Sequence, residues 1–114
     1  MEVKVDKMKG AEIITVFGKI DAYQSIKLKD ALNEIIDKGS KKIIVNLHDV
    51  SFLDSTALGT LISALKKIKN KGGEICITKL QPGVGEIFEL TRLNKVFKIF
   101  PSNEEAIDYL TSLE

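Results

Sequence analysis

The alternation between two hydrophobic periods constrains the fold of this chain more than any other sequence feature. Short apolar runs rich in β-branched residues, such as residues 13–17 and 43–47, are too short for helices and are typical of strands. Between these runs, apolar residues recur every three to four positions, which is typical of helices with one buried face. Strands that alternate with helices predict an α/β fold with a mostly parallel sheet and right-handed crossovers.

The predicted element order is β-β-α-β-α-β-α-β-α. The first two strands form a predicted hairpin that closes near Gly10 and adds an antiparallel edge strand to the sheet. We expect residues 18–21 to interrupt the second strand and the first helix to follow from Ala22. The third strand is predicted to end at Leu47, and residues 48–54 are predicted to form a loop before the second helix.

The remaining elements have clear sequence signals. Residues 75–77 form a short buried strand, and Pro82 marks the first turn of the third helix. Residues 96–100 are predicted to form the last strand, and Ser102 or Asn103 to cap the last of the four helices.

Composition predicts one globular domain over residues 1–114. Of the 114 residues, 44% are hydrophobic and 29% are charged, and the formal net charge is +1. This charge gives no general attraction to nucleic acid or to a membrane surface. Cys76 is the only cysteine, and the N-terminus alternates charged and apolar residues unlike a signal peptide. We therefore expect a cytoplasmic protein that binds neither nucleic acid nor membrane directly.

Other chemistries have weak support in the sequence. His48, Asp49 and Ser51 lie too close together in the chain to supply the oriented base of a hydrolytic triad. No spacing of Cys or His residues suits a metal site, and no nucleotide-binding motif is complete. We therefore expect no cofactor and no enzymatic activity. Cys76 is predicted to be buried, and the lysines at positions 66, 67, 69 and 71 are interpreted as a solvated helix end rather than an anion site.

The segment Asp54-Ser55-Thr56 lies where a helix begins after a predicted buried strand. Functional groups in such folds collect at the carboxyl ends of the strands. The simplest interpretation makes Ser55 the helix N-cap, with its oxygen accepting a backbone N–H, and Thr56 the first, solvent-facing helical residue. A hydroxyl in this position is also accessible to modification.

The chain resembles a known family, the stand-alone STAS domains that act as anti-sigma factor antagonists. The resemblance covers nearly the whole chain and includes residues 18–21 (Gly-Lys-Ile-Asp), 43–47 and the turn Gly72-Gly73. Its signature is residues 52–59, which read Phe-Leu-Asp-Ser-Thr-Ala-Leu-Gly. The string is only moderately specific alone, but it lies between a predicted buried strand and an amphipathic helix.

The resemblance implies a partner-switching role in transcription regulation. The unmodified antagonist binds an anti-sigma factor, which is an ATP-binding serine protein kinase, and so frees a sigma factor. The same kinase phosphorylates the hydroxyl after the signature Asp, which corresponds to Ser55, with Thr56 as the alternative acceptor. A PP2C-type phosphatase restores the active form. The chain is thus expected to be a phosphoprotein and a kinase substrate, not an enzyme.

The resemblance also implies a partner-binding surface, and the residues leave several alternatives open. Its implied members are Asp21, Asp54, Ser55, Thr56, Ala57, Leu58 and Gly59. Asp21 is equally well explained as a helix cap, and Asp54 as a residue that orients the hydroxyl or ends the loop. Ala57 replaces a glycine more common in the family, which adds a methyl group near the partner. Gly59 is explained by close internal packing, favoured here, or by close approach of a partner.

Two other functional classes remain. The first is a scaffold or sensor subunit of a larger STAS complex. A measurement of molecular mass in solution would distinguish such a complex from the monomer or weak dimer expected here. The second is a small-ligand module or weak enzyme, which would need a deep pocket with converging polar groups. Tyr23, Phe52 or Leu58 could each supply the apolar part of a contact surface.

Overall fold

A five-stranded sheet forms the centre of the computed structural model, which describes residues 2–114; Met1, included in the predicted domain, lies outside the described residues. The strands lie in chain order, with the first antiparallel to the second and the other neighbours parallel. They are β1 (Glu2–Met8), β2 (Ala11–Ile20), β3 (Lys42–Leu53), β4 (Glu74–Thr78) and β5 (Lys98–Phe100). The helices are α1 (Gln24–Asp37), α2 (Ser55–Asn70), α3 (Pro82–Leu90) and α4 (Asn103–Ser112), with a 3-10 turn at Leu93–Lys95. The predicted α/β class and element order are confirmed.

The hairpin between β1 and β2 closes where the sequence predicted. Lys9 and Gly10 form a two-residue connection, and both have positive φ, 50° and 83°. Two left-handed residues are what a tight hairpin turn requires, because their twist matches that of the flanking strands. Glycine at the second position adopts this conformation without steric cost.

Helices cover both faces of the sheet. Ile43 and Val45 of β3 face the core shared with α1, α2 and α3, whereas Ile44 between them faces the core beneath α4. Side chains of a strand alternate between faces, so a strand covered on both sides must be apolar at successive positions. The uninterrupted apolar run at residues 43–47 follows from this arrangement.

Two strands, β2 and β3, extend well beyond their predicted ends, and β5 is shorter than predicted. The predicted break at residues 18–21 is wrong, because β2 continues to Ile20 through a register shift at Gly18, which has φ of +96°. The predicted loop at residues 48–54 is also wrong for most of its length, because β3 continues to Leu53. Conversely, β5 begins only at Lys98, because Phe97 donates its backbone N–H to the Leu93 carbonyl in the 3-10 turn.

The extended ends of β2 and β3 position the segment at the start of α2. Ile20 pairs with Leu53, and the backbone N–H of Asp54 donates to the Ile20 carbonyl at 3.1 Å. Strand β4 pairs only with the first half of β3, between Lys42 and Asn46. The end of β3 and the start of α2 therefore project beyond β4, supported mainly by β2.

Candidate functional site

Asp54 caps helix α2. Its backbone is extended, with φ of −98° and ψ of −175°, and its carboxylate Oδ1 accepts the backbone N–H of Ala57 at 3.0 Å. The prediction that Ser55 is the cap is therefore wrong by one residue. The cap lies earlier because β3 runs directly to Leu53 and leaves Asp54 as the only residue between strand and helix.

Ser55 is the first residue of α2, and its side chain is exposed. Within residues 2–114 its hydroxyl makes no side-chain hydrogen bond, whereas the residues on either side are both engaged. It lies at the N-terminus of a 16-residue helix, where the helix dipole places partial positive charge. The result is a free hydroxyl that faces solvent in a setting that favours negative charge.

Thr56 is also exposed, but its hydroxyl has a partner. Thr56 Oγ1 donates to Asp54 Oδ1 at 2.6 Å. This bond, together with the N–H of Ala57, lowers the pKa of the Asp54 carboxyl below its usual range. The sequence predicted Thr56 as the first residue of the helix, but it is the second. Asp54 therefore holds Thr56 and not Ser55, so the suggestion that Asp54 orients the Ser55 hydroxyl is wrong.

Asp21 lies beside this segment at the end of the neighbouring strand. Its Oδ1 accepts the backbone N–H of Gln24 at 2.8 Å and so closes the turn that precedes α1. The carboxylate is exposed, and it follows the Ile20 carbonyl to which Asp54 donates. The structure therefore brings Asp21, Asp54 and Ser55 together at one edge of the sheet. Asp21 accepts the N–H of the first residue of α1, but the residue directly before the helix is Tyr23, so the prediction that Asp21 is the N-cap is wrong by two residues.

Three further residues of the implied surface lie differently from expectation. Ala57 and Leu58 are buried in the core, so the Ala57 methyl group does not lie on the surface and Leu58 supplies no exposed apolar contact. Apart from the adjacent backbone of its own helix, a Cβ atom built on Gly59 would meet no atom of residues 2–114 within 4 Å, so the prediction of close internal packing is wrong. Gly59 instead lines a shallow groove between α1 and α2, together with Thr56 and Thr60.

The exposed apolar side chains near this edge are Tyr23, Ile26 and Phe52, which are 72%, 56% and 44% exposed. Tyr23 and Ile26 are three residues apart at the start of α1, so they share one side of the helix. Sequence reasoning named Tyr23 and Phe52 but missed Ile26. The signal was available, because Ile26 falls outside the apolar stripe of α1 that begins at Leu28.

The other candidates from the sequence form no second site. His48 Nδ1 lies 3.2 Å from Asp49 Oδ1, and both side chains are solvent-accessible. Burial raises the pKa of the Cys76 thiol to about 12. Among the lysines at the end of α2, Lys67 pairs with Asp37 at 2.8 Å, which fits a solvated helix end. Among residues 2–114, no cluster of His, Cys, Asp or Glu could hold a metal ion, and no helix is long and apolar enough to cross a membrane.

Known proteins resemble this chain along nearly its whole length. An anti-sigma F factor antagonist of Paenibacillus polymyxa is 27% identical over 100% of this chain and 96% of its own. An anti-sigma-B factor antagonist of Staphylococcus aureus is 31% identical over 80% of this chain and 84% of its own.

Solved structures share the fold. The unphosphorylated form of the anti-sigma factor antagonist SpoIIAA matches with a TM-score of 0.75 at 19% identity, over 96% of this chain and 98% of its own. The phosphorylated form of the Bacillus protein SpoIIAA matches with a TM-score of 0.73 at 21% identity, over 95% of this chain and 98% of its own.

A family model described as the STAS domain matches residues 2–106. The match includes the hairpin, the buried strands and the segment that begins α2. This chain therefore belongs to the STAS domain family.

Proposed function

We propose that this chain is an anti-sigma factor antagonist that is switched by phosphorylation of Ser55. The unphosphorylated form binds an anti-sigma factor and so frees a sigma factor. The observation that carries the proposal is the exposed Ser55 hydroxyl at the start of α2, which makes no side-chain hydrogen bond within residues 2–114 and lies near the exposed turn that begins at Asp21. The names of the relatives from Paenibacillus polymyxa and Staphylococcus aureus support the same role.

The proposed partner is both an anti-sigma factor and an ATP-dependent serine kinase. It transfers phosphate to Ser55, and a PP2C-type phosphatase removes it. In this cycle the chain, acting as one unit over residues 1–114, is a substrate and a binding protein rather than an enzyme. We propose a contact surface centred on Asp21, Asp54, Ser55, Thr56 and Gly59, with buried Ala57 and Leu58 holding α2 in place beneath it.

The fold should tolerate a phosphate on Ser55. The group adds a charge of about −1.5 to −2, and the positive end of the α2 dipole opposes the resulting repulsion from Asp54. In the part of the chain that the structure describes, no side-chain hydrogen bond of Ser55 must break to admit the phosphate, because Asp54 supplies the cap. SpoIIAA offers a parallel, since its phosphorylated and unphosphorylated structures match this chain almost equally well, with TM-scores of 0.73 and 0.75.

Docking, in contrast, should not tolerate the phosphate. A nucleotide or carboxylate held opposite Ser55 would face it across the interface. Two unit charges about 4 Å apart repel by roughly 4 kcal/mol at an effective dielectric of about 20. A repulsion of that size weakens binding by about a thousandfold. Local charge is therefore sufficient for the switch, and no rearrangement of the domain is needed.

Calorimetric titration of the purified anti-sigma factor from the same organism tests the proposal. Wild type and Ser55→Ala should bind with similar affinity in the presence of ADP, and the phosphorylated wild type at least about a hundredfold more weakly. Incubation with ATP should release wild type but not Ser55→Ala. Ser112→Ala is the control, because Ser112 is an exposed serine at the end of α4, outside the proposed contact surface, and its loss should leave the response to ATP unchanged.

The opposite results would refute the proposal. Equal affinity of the two phosphorylation states would show that the charge at Ser55 does not control docking. An altered set of backbone amide resonances throughout the phosphorylated protein would show that the switch depends on refolding instead. A stable assembly many times the mass of the chain would favour the scaffold function over a monomer or weak dimer.

A further inference from the structure

We infer that the hydrogen bond between Thr56 and Asp54 selects Ser55 over Thr56 as the phosphate acceptor. The inference rests on the proposed function and concerns the same segment. Two hydroxyls lie side by side in the first turn of α2, and both are exposed, so accessibility alone does not distinguish them. They differ in their partners: Thr56 donates to Asp54 at 2.6 Å, and Ser55 makes no side-chain hydrogen bond within residues 2–114.

Two backbone hydrogen bonds hold Asp54 in position in addition to the bond from Thr56. The same Oδ1 atom accepts the backbone N–H of Ala57 at 3.0 Å, and the backbone N–H of Asp54 is tied to the Ile20 carbonyl at 3.1 Å. The carboxylate therefore cannot turn towards Ser55 without uncapping α2. Asp54 is a positioning residue that acts on the reaction through Thr56.

Phosphoryl transfer makes the difference between the hydroxyls decisive. The hydroxyl oxygen forms a bond to the γ-phosphorus of ATP, the bond from that phosphorus to the bridging oxygen breaks, and ADP leaves. The hydroxyl proton passes to a base on the kinase. At Ser55 these steps break no side-chain hydrogen bond to any of the described residues 2–114. At Thr56 they break the bond to Asp54 and place a phosphate dianion against a carboxylate.

A carboxylate beside a hydroxyl could instead act as a base and favour Thr56. Asp54 is poorly suited to that role, since its capping bonds stabilise the ionised form and leave it a weak proton acceptor. The two alternatives predict opposite outcomes when Ser55 is removed. Blocking by Asp54 leaves Thr56 unmodified, whereas activation by Asp54 makes Thr56 the new acceptor.

The test compares Ser55→Ala with the double variant Ser55→Ala/Asp54→Asn, using the anti-sigma factor kinase of the source organism and radiolabelled ATP. Asparagine also caps helices well, so it keeps α2 intact while it removes the charge and replaces the strong carboxylate acceptor of the Thr56 hydroxyl by a weaker, neutral amide oxygen. We expect Ser55→Ala to accept phosphate at less than about a tenth of the wild-type kcat, and the double variant to gain at least about tenfold over it. Peptide mass spectrometry should place the new phosphate on Thr56, and Thr56→Val in the same background should abolish it.

Rates are compared at saturating antagonist, so that weaker docking of an Asp54 variant enters KM and not kcat. Asp54→Asn with Ser55 intact is the comparison variant: it should still accept phosphate on Ser55 and should in addition carry phosphate on Thr56 in part of the molecules, because the same restraint on Thr56 is weakened. Ready phosphorylation of Thr56 in Ser55→Ala would overturn the inference. So would a double variant that remains as unreactive as Ser55→Ala at saturation.

A second experiment needs no kinase and therefore tests this inference separately from the proposed function. Titration of the Asp54 carboxyl by NMR should show a higher pKa in Thr56→Val than in wild type, and a wild-type value in Thr56→Ser, which keeps the hydroxyl. An unchanged pKa in Thr56→Val would show that the bond is absent in solution and refute the selection. If the wild-type chain accepted no phosphate, the proposed function would fail, while the titration would still report on the bond.

Discussion

Asp54, Ser55 and Thr56 are consecutive, yet their side chains have three different roles. Asp54 caps the helix, Thr56 donates to Asp54, and Ser55 makes no side-chain hydrogen bond within residues 2–114. The sequence predicted the segment and its place at a helix start, but it put the cap on Ser55. Aspartate and serine are both favourable caps, so propensity alone cannot choose between them. The choice depends on where β3 ends, which is set by its pairing with β2.

At the residue scale, this assignment makes Asp54 and not Ser55 important for stability. Asp54→Ala should lower the melting temperature by a few degrees, because the N–H of Ala57 and the hydroxyl of Thr56 lose their acceptor. Ser55→Ala should change it by less than about one degree, since alanine is a good helix former. Thermal unfolding followed by circular dichroism measures both. A larger loss in Ser55→Ala would show that serine is the true cap.

The stabilisation from Asp54 should also depend on pH in a defined direction. Capping lowers the folded-state pKa of its carboxyl below the unfolded value of about 4. The contribution is therefore fully present above that unfolded value and is lost as pH falls through the lower, folded-state pKa. We expect the free energy of unfolding of wild type to fall relative to that of Asp54→Asn as the pH is lowered. A difference that stays constant from pH 6 to about pH 2 would contradict this assignment.

At the scale of elements, the ends of strands were the least predictable part of the fold. Period-two and period-3.6 patterns gave every helix and strand in the right order. The second half of β3 was missed because Val50 and Leu53 are buried in the core shared with α1, α2 and α3, while the residues around them are exposed. This irregular pattern comes from register shifts between two strands, which depend on tertiary pairing.

Two glycines near α2 should respond to alanine in opposite ways. Gly59→Ala should stabilise the protein by about 0.5–1 kcal/mol, because its Cβ enters open space and alanine favours the helix. If the partner approaches this groove closely, the same variant should bind more weakly.

Gly73→Ala is the contrasting variant. Its Cβ would lie 2.6 Å from a side-chain carbon of Ile68 and 2.7 Å from the Lys41 carbonyl oxygen. We expect a loss of about 1–3 kcal/mol from this overpacking. Urea denaturation measures both variants, and a destabilised Gly59→Ala would contradict the open space described at that position.

At the scale of the whole molecule, the sheet separates two cores of unequal size. The larger lies beneath α1, α2 and α3, and the smaller beneath α4 contains Cys76. The sequence predicted this burial from the apolar run at residues 75–77, because a strand covered on both faces leaves no position for polar side chains.

The thiol of Cys76 should therefore report on opening of the whole molecule. Burial raises its pKa to about 12, and the side chain is fully inaccessible, so at pH 8 the folded protein should not react with a disulfide reagent. Labelling should proceed at the rate of global unfolding and accelerate in urea in parallel with the loss of circular dichroism. Rapid labelling without denaturant would show that α4 detaches independently.

The backbone hydrogen bond from Asp54 to the Ile20 carbonyl has a consequence for recognition. It joins the turn that carries Asp21 to the first turn of α2, which carries Ser55, and so fixes the two parts of the proposed contact surface relative to each other. A binding partner therefore meets these groups already in their final arrangement, and little ordering entropy is lost on association. We expect a heat-capacity change on complex formation that matches the apolar area buried at the interface, without the excess that coupled folding produces.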